Sequence, residues 1–390
     1  MKRLKIWFLM VVGAALAGCS KDPIGKTSDC TATGGMAHPK AASYQAVIDK
    51  YVARGLPGIS ILIRDSKGTW TGGAGMADIA AGISMKPCTV SKGASTTKTF
   101  IAVLTLLMAE EGKLGLDDKA SKYLPEEVTS KVRNAGECTL RMLLNHTSGI
   151  YDVIDDNGFY LAVLNDPSHT WSSEELVKYV YNDAPVFATG TDVEYSNTNY
   201  LLLAMILDKV TGGDHSRMLR TKVLNPLGLQ DTYYYWHEAL PAEVAQGYFD
   251  FYNNGTILNI TNYNTGSGNG YGGIYSTVYD LQVFIEALVK NKTILSSGSL
   301  AQMLTFTKED ESYNRANGLG IFKDFLERDP NQYGLGHRGR DLGYTADMYW
   351  FPNQDYTMTY LINYGTDAKS DLRPAFFDFR KEIVDVMMQN

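Results

Sequence analysis

Strand-like segments occur at both ends of the chain with a helix-rich region between them, and this arrangement constrains the fold most strongly. Residues 57–65 and 69–75 are rich in β-branched and small side chains and flank Ser66-Lys67-Gly68, which predicts a β-hairpin. Further strands and a closing amphipathic helix are predicted late in the chain, at 318–325, 342–351, 356–364 and 372–388. One antiparallel sheet assembled from both termini would accommodate these segments.

The middle of the chain has the periodicity of helices. In residues 96–111 an apolar face recurs at helical spacing and stops at Gly112. Further helices are predicted at 161–163, 174–180 and 199–210. The predicted fold class is therefore α+β, with an antiparallel sheet flanked by helices and a mainly helical inserted region. A sheet lobe of about 41–90 and 316–390 would meet a helical lobe of about 91–315, and the cleft at their seam is the expected site.

The first residues have the features of an export signal. Three basic residues precede an apolar stretch at 6–16, which is shorter than the roughly 20 apolar residues that a membrane-spanning helix needs. The run Leu16-Ala-Gly-Cys19 resembles the bacterial lipobox, whose cysteine becomes the lipidated first residue of the mature protein. We therefore expect a signal peptide at 1–18, a lipid anchor on Cys19 and a flexible tether through 19–40. An ordinary signal peptide cut nearby is the alternative.

Net charge and composition indicate which classes of binding partner to expect. The formal charge of −7 moves to −10 when residues 1–18, with three basic and no acidic side chains, are removed, which disfavours nucleic acid as a partner. Charged residues at 20% and apolar residues at 44% predict a folded globular protein. The sequence has neither a C-x-x-C nor an H-E-x-x-H run, so we expect no metal and no other cofactor. We expect a monomer that acts on a small molecule or a peptide.

Three cysteines remain beside Cys19. Cys88 and Cys138 both lie inside the predicted folded region, whereas Cys30 lies in the predicted tether. An exported protein can oxidise one pair, and Cys88 with Cys138 is the expected one. The spacing does not determine the pairing, and two buried free thiols are the alternative.

Ser95-Thr-Thr-Lys98, at the start of a predicted helix, points to nucleophilic catalysis. Residues three apart share a helix face, which brings the Lys98 amine near the Ser95 hydroxyl. A serine hydroxyl is a weak nucleophile at neutral pH and needs a base and donors for the oxyanion. A desolvated lysine near other cations can lose its proton near neutral pH. Taken alone, the tetrapeptide also fits a helix N-cap at Ser95 and a solvated helix residue at Lys98.

Two further runs follow in order, Tyr195-Ser-Asn197 and His337-Arg-Gly339, and with the first they resemble the three motifs of serine β-lactamases and penicillin-binding DD-peptidases. Other runs that look like this family are 143–149, 226–232 and 272–277 with Asp280 after it. The resemblance covers about 45–390. It is closest to the class C β-lactamases, the His-x-Gly DD-carboxypeptidases and their esterase and D-aminopeptidase relatives, because the Glu-x-x-Leu-Asn run of class A is missing.

The resemblance implies a serine hydrolase that works through an acyl-enzyme. Ser95 would be the nucleophile, Lys98 its base, and Tyr195 would exchange protons with the attacking hydroxyl and the leaving group. Asn197 would offer its amide to the substrate and could also hold Lys98. The backbone amides of Ser95 and Arg340 would form the oxyanion hole.

Several of these positions allow a second interpretation. Tyr195 also fits a packed tyrosine, since the chain has 25 of them, and Asn197 also fits a cap of the next helix. His337 could bind a substrate carboxylate or relay a proton, with a charge that changes near neutral pH. Gly339 would leave space for a substrate along the strand edge. His146 belongs to a family run that is expected to be structural.

Two arginines and one loop are expected to affect the choice of substrate. Arg338 and Arg340 flank Gly339 where relatives often carry Thr or Ser. A guanidinium that reaches the cleft would favour a carboxylate-bearing substrate, whereas strand alternation could instead point both away as surface charges. The loop 261–273, rich in Asn, Gly and Tyr, is expected to border the cleft.

The expected reaction is cleavage of an amide, a β-lactam or an ester. A bacterial envelope location, facing the periplasm or the exterior, favours D-amino-acid peptides or β-lactams. An esterase or D-aminopeptidase of the same fold is one alternative. A non-catalytic module that binds penicillin or peptidoglycan peptides is the other, although such a module would be expected to lose Ser95, Lys98 or Tyr195.

Overall fold

The computed structural model describes residues 38–310 and 314–389. Its strands are β1 (Gly58–Asp65), β2 (Gly68–Asp78), β3 (Ile83–Ser84), β4 (Ser91–Ala94), β5 (Tyr233–Tyr234), β6 (Tyr248–Phe249), β7 (Leu258–Asn259), β8 (Ile274–Ser276), β9 (Glu309–Asp310), β10 (Arg315–Asn317), β11 (Phe322–Asp324), β12 (Gly334–Asp341), β13 (Tyr344–Phe351) and β14 (Tyr356–Ile362).

Its α-helices are α1 (Ala41–Ala53), α2 (Thr97–Glu110), α3 (Glu126–Lys131), α4 (Leu140–Leu144), α5 (Asn157–Asn165), α6 (Ser173–Leu176), α7 (Asn197–Thr211), α8 (His215–Leu219), α9 (Val278–Ile285), α10 (Ser297–Met303) and α11 (Arg373–Met388). Short 3₁₀ or π-helical segments lie at Ala120–Lys122, Val153–Asp155, Val177–Val180, Arg220–Leu224 and Glu286–Lys290.

The main sheet is built from both ends of the chain, as predicted. Within the described residues it has nine strands in the order β3-β2-β1-β14-β13-β12-β11-β10-β9, and each pair of neighbours is antiparallel. The amino-terminal β1 pairs directly with the carboxy-terminal β14, with Ile61 opposite Tyr360. This junction confirms the predicted α+β class with an antiparallel sheet assembled from the two termini.

A separate hydrophobic core packs against each face of the sheet. In β1, Ile61 and Ile63 pack in a cluster with residues of α1 and α11, whereas Leu62 points to the opposite face. That opposite face packs against the region inserted between β3 and β9, which includes α2, α7 and α9. This period of two follows from the alternation of side chains along a strand. The active-site cleft lies on the side of the inserted region.

Local boundaries differ from the sequence-based expectation in three places. Helix α1 was not predicted. The predicted strand at 318–325 is only the short strand β11, because the Gly318 amide donates to the Ile321 carbonyl and turns the chain between β10 and β11. Residues 38–40 of the predicted tether belong to the folded part, since buried His38 contacts Asp65 at 3.1 Å, and residues 19–37 lie outside the described residues. The inserted region also contains two small sheets, β4-β8-β5 and β6-β7.

The cysteine pairing differs from the expected one. Cys88 is disulfide-bonded, whereas Cys138 is a free thiol buried in the core of the inserted region. The pairing of Cys88 with Cys138 is therefore wrong, and so is the alternative of two free thiols. Position inside the folded region does not bring two cysteines together, because a disulfide needs their Cα atoms within about 7 Å.

The predicted signal peptide and the lipidation site Cys19 lie outside the described residues. Within 38–310 and 314–389, no helix has both the length and the apolar character that crossing a bilayer requires.

Candidate active site

Ser95 lies at the turn between strand β4 and helix α2. Ala94, the last residue of β4, has a φ of 49°, a conformation that non-glycine residues adopt rarely and at some energetic cost. This turn leaves Ser95 partly exposed at a cleft of about 460 Å³. The N-cap of α2 is Thr96, and its side chain makes no capping hydrogen bond. The alternative of a simple N-cap at Ser95 is therefore not what the structure has.

Lys98 is completely buried, so the alternative of a solvated helix residue is excluded. Its Nζ donates hydrogen bonds to Ser95 Oγ at 3.1 Å, to Asn197 Oδ1 at 2.7 Å and to the Tyr271 carbonyl at 2.7 Å. The Tyr195 ring centre lies 4.9 Å from the same nitrogen. An ammonium group has three hydrogens to donate, so these three acceptors match the charged form.

Loss of one proton leaves this arrangement intact and makes it reactive. Burial lowers the pKa of Lys98 to about 7, against the opposing effect of Asp152. The neutral amine still donates to Asn197 and to Tyr271, and its lone pair then faces the Ser95 hydroxyl. A neutral amine in this position can accept the proton of an attacking serine.

Tyr195 projects into the same cleft and is held by its neighbours. Its ring lies 4.4 Å from the His146 ring, and the Arg315 guanidinium lies 5.1 Å from its centre. Burial raises the pKa of Tyr195 well above its usual value, and a hydrogen bond with Ser95 opposes that rise. A tyrosine of this kind stays protonated at neutral pH and is suited to donate a proton. Its position is not that of a tyrosine buried only for packing.

His146, in the run that was expected to be structural, holds the second motif in position. Its Nδ1 accepts hydrogen bonds from the Ser196 amide at 3.2 Å and from Asn199 Nδ2 at 3.3 Å. These donors place its proton on Nε2. Burial and the charge of Lys98 lower the pKa of His146 well below its usual value. A neutral His146 therefore supports Tyr195 by stacking and by holding the backbone that follows it.

Asn197, the first residue of α7, connects Lys98 to a carboxylate that the sequence motifs did not identify. Its Oδ1 accepts from Lys98, and its Nδ2 donates to Asp152 Oδ2 at 2.9 Å. Burial raises the pKa of Asp152, while its hydrogen bonds and Lys98 oppose the rise. Asp152 ends the sequence His146-Thr-Ser-Gly-Ile-Tyr-Asp152, so an acidic residue just beyond the 143–149 run was the available signal.

His337 is buried and neutral rather than poised to change charge near neutral pH. Its Nδ1 donates to the Arg338 carbonyl at 2.6 Å, and its ring stacks on Phe322 at 4.0 Å. Burial and the charge of Lys98 lower the pKa of His337 well below its usual value. Its Nε2 has no hydrogen-bond partner among the described residues. Of the neutral and protonated forms that the sequence allowed, this environment favours the neutral one, and binding of a substrate by Nε2 stays a prediction.

Gly339 is required for a reason different from the one expected. A Cβ atom on Gly339 would lie 2.1 Å from the Gly93 carbonyl oxygen, within the strand that leads to Ser95. The glycine therefore allows β12 to approach β4 closely, rather than only leaving space for a substrate. Beyond Gly336, the described part of β12 pairs with β13 alone, and its other edge borders the cleft. The proposed oxyanion donors, the amides of Ser95 and Arg340, stay a prediction.

Arg338 and Arg340 alternate away from His337 and Gly339 and are ion-paired rather than exposed. Arg338 pairs with Asp324 at 3.0 Å, and Arg340 pairs with Asp347 at 2.9 Å. Arg380 of α11 bridges both carboxylates and completes a buried network. Both arginines line the cleft, as one of the two alternatives expected, and they are not surface charges. The sequence did not reveal that carboxylates of β11 and β13 already pair with them.

The loop at 261–273 borders the cleft, as expected. Its Tyr271 carbonyl accepts from Lys98, and its Thr265 hydroxyl donates to Asp341 at 3.0 Å. Asp341 also forms a buried salt bridge of 2.6 Å with Lys92, next to the strand that carries the nucleophile. The loop thus joins β4 and β12 on the cleft side.

One cluster among the described residues has a composition that could suit a metal. Ligand atoms of Asp208, Asp214 and His215 lie within 4.8 Å of one another. Asp208 already accepts from the backbone and ring of His215, and Asp214 caps the Ser216 amide. These hydrogen bonds account for the cluster, and we assign no metal to it.

Comparisons with known proteins identify the family and support the fold. The family model described as Beta-lactamase matches residues 44–379. Penicillin-binding protein 4* of Bacillus subtilis is 28% identical over 310 residues, covering 76% of this chain and 65% of its own length. The chain thus spans slightly less than two thirds of that relative.

Two solved structures match this chain over nearly the whole of their own length. The D-amino acid amidase of Ochrobactrum anthropi SV3, complexed with L-phenylalanine amide, is 27% identical with a TM-score of 0.76, covering 89% of this chain and 97% of that one. The D-stereospecific amidohydrolase of a Streptomyces species is 28% identical with a TM-score of 0.72, covering 83% and 94%. The family model matches most of the chain, and this chain therefore belongs to the β-lactamase family.

Proposed function

We propose that the protein hydrolyses the amide bond of a D-amino-acid amide or a short D-amino-acid peptide through an acyl-enzyme on Ser95. The observation that carries this proposal is the hydrogen bond of 3.1 Å between Lys98 Nζ and Ser95 Oγ, with Lys98 fully buried. Because burial lowers the pKa of Lys98 to about 7, a large share of the protein has a neutral amine beside the hydroxyl at neutral pH.

The proposed reaction has two halves. Ser95 Oγ attacks the carbonyl carbon while Lys98 Nζ takes the hydroxyl proton, and the backbone amides of Ser95 and Arg340 stabilise the oxyanion. Tyr195 gives its proton to the leaving nitrogen as the carbon–nitrogen bond breaks, and the Lys98 proton restores the phenol. Water then attacks the ester carbonyl and passes one proton through Tyr195 to Lys98. That proton returns to Ser95 Oγ as the carbon–oxygen bond to Ser95 breaks and the acid leaves.

The choice of amides is supported by the structural relatives. One of them, 28% identical, is named as a D-stereospecific amidohydrolase, and the other, 27% identical, is named as a D-amino acid amidase. β-Lactams are the second candidate, since a relative that covers 76% of this chain is named as a penicillin-binding protein. A β-lactam would acylate the same Ser95.

Competing substrates test the proposal directly. Purified protein is given D-phenylalanine amide, its L-isomer, a D-Ala-D-Ala peptide, a cephalosporin reporter and a short-chain ester. We expect the D-amide or the D-peptide to have the highest kcat/KM and Ser95→Ala to abolish turnover. After reaction of the wild type with a fluorophosphonate, the mass of the labelled peptide should place the adduct on Ser95. A wild type that takes up no label, or a Ser95→Ala variant with undiminished turnover, would refute the proposal.

We further propose that the protein is a monomeric lipoprotein of a bacterial envelope, anchored through Cys19 and facing the periplasm or the exterior. The lipobox-like run at 16–19 and the apolar stretch before it support this location. Labelling with a radioactive fatty acid should occur in the full chain and disappear in Cys19→Ser. Equal labelling of both would contradict the anchor.

A further inference from the structure

Asp152 lies beneath the Ser95–Lys98 pair, and none of the three motifs includes it. We propose that Asp152 is a positioning residue that holds the Asn197 amide with its oxygen toward Lys98 and thereby controls the charge of the Lys98 amine. This inference rests on the proposed function, in which Lys98 is the base for Ser95.

The orientation of Asn197 follows from its two partners. A side-chain amide can turn over, because its oxygen and nitrogen occupy similar positions. Both carboxyl oxygens of Asp152 accept hydrogen bonds, Oδ1 from the Ile154 amide and Oδ2 from Asn197 Nδ2 at 2.9 Å, which matches the ionised form. The carboxylate therefore requires the Asn197 NH₂ group to face it. The amide oxygen must then face Lys98 Nζ, at 2.7 Å. Without the carboxylate, an amide turned by 180° would direct N–H groups at the lysine.

The backbone around Asp152 is tied to the same helix as Asn197. The Val153 amide donates to Thr198 Oγ1 at 2.9 Å, and that hydroxyl donates to the Tyr151 carbonyl at 2.7 Å. Asp152 Oδ1 accepts from the Ile154 amide at 3.3 Å, which caps the helical turn that follows. The carboxylate is therefore fixed relative to the first turn of α7.

The charge of Asp152 also affects Lys98. Burial lowers the pKa of Lys98, and the carboxylate of Asp152 is the largest influence that raises it again. Other charged groups near Lys98 are Asp341 and Asp367, which raise the pKa, and Arg315, which lowers it. Asp341 is already paired with Lys92.

The two histidines around Lys98 do not compete with Asp152 for this role. Burial keeps the pKa values of both His146 and His337 well below their usual range, so both are neutral near pH 7. Asp152, the carboxylate joined to Lys98 through one bridging side chain, therefore has the most direct influence on it.

The rate of Ser95 labelling by a small neutral fluorophosphonate, measured against pH, tests this role without a substrate. In the wild type we expect the rate to rise with pH through a midpoint near 7, where Lys98 loses its proton. Asp152→Asn keeps an oxygen that can accept from Asn197 but removes the charge. We expect its midpoint to fall by about one pH unit and its plateau to fall only a few-fold.

Two further variants complete the design. Asp152→Ala removes both the charge and the acceptor, so we expect a plateau at least about 10-fold below the wild type. Asp155→Asn is the matched control, because Asp155 lines the same cleft but has no hydrogen bond to Asn197 among those described. We expect its midpoint to match the wild type. Near-ultraviolet circular dichroism establishes folding, and the isosteric Asp152→Asn decides the result if Asp152→Ala does not fold.

The outcomes separate this inference from the proposed function. A wild type that is not labelled overturns the proposed function itself. Labelling with an unchanged midpoint in Asp152→Asn overturns only the role of Asp152. An Asp152→Asn variant whose KM rises for substrates with a free ammonium group, again with no change in midpoint, would make Asp152 a substrate-binding residue and equally overturn the inference.

Discussion

Replacing Gly339 with alanine tests how the sheet positions the nucleophile. The new Cβ would lie 2.1 Å from the Gly93 carbonyl oxygen, whereas real Cβ contacts are essentially never shorter than 3.0 Å. The two strands must therefore separate by about 0.9 Å. Gly93 is two residues before Ser95, and Ala94 between them already has a strained φ of 49°. The displacement should therefore reach the Ser95 hydroxyl.

The expected cost falls mainly on catalysis. Overpacking of a close contact costs about 1–3 kcal/mol of unfolding free energy, which corresponds to a decrease in Tm of about 2–4 °C. A misplacement of about 1 Å at a reacting atom can reduce the rate about 100-fold. We therefore expect the Ser95 labelling rate of Gly339→Ala to fall by about 100-fold while the protein stays folded.

The same strand supplies a matched control. In Gly334→Ala the new Cβ would meet only the side chains of Tyr349, Phe351 and Phe325, at 3.2–3.4 Å. We expect a comparable or smaller loss of Tm and an unchanged labelling rate. A Gly339→Ala variant that labels at the wild-type rate would show that this contact does not position Ser95. A loss that grows with probe size would instead support simple crowding of the substrate by the new methyl group.

Three further predictions concern single groups. Tyr195→Phe should lower turnover of an amide by about 10²–10⁴-fold in steady-state assays without lowering Tm, because the ring keeps its contact with His146; unchanged turnover would exclude proton transfer by the phenol. Arg338→Met should lower the free energy of unfolding, measured in urea, by about 3 kcal/mol. This is the low end for a broken buried ion pair, because Asp324 keeps its salt bridge to Arg380. A decrease of less than about 1 kcal/mol would contradict a stabilising role for the network. Burial raises the pKa of Cys138 to about 12. At pH 8, alkylation of Cys138, followed by peptide mass, should therefore be at least about 100-fold slower in the native protein than in the unfolded protein. Equal rates would show that the thiol is accessible to solvent in the native protein.

The sequence alone identified the groups whose relation is local. Ser95 and Lys98 are three residues apart on a helix, so the helical repeat brings them together in any fold that keeps α2. The alternation of His337 and Gly339 with Arg338 and Arg340 follows in the same way from the period of a strand. The α+β class and the sheet from both termini also follow from the order of the segments.

Only the tertiary structure decided the relations between distant segments. The Asp152 carboxylate and the Tyr271 carbonyl reach the Lys98 site from separate loops. Partners for Arg338 came from β11, and Cys88 did not pair with Cys138. A repeat of 3.6 or 2 residues determines which side chains share a face, but not which loop packs against that face. That choice depends on the packing of the whole chain, and with it the protonation of Lys98, the base on which the proposed chemistry depends.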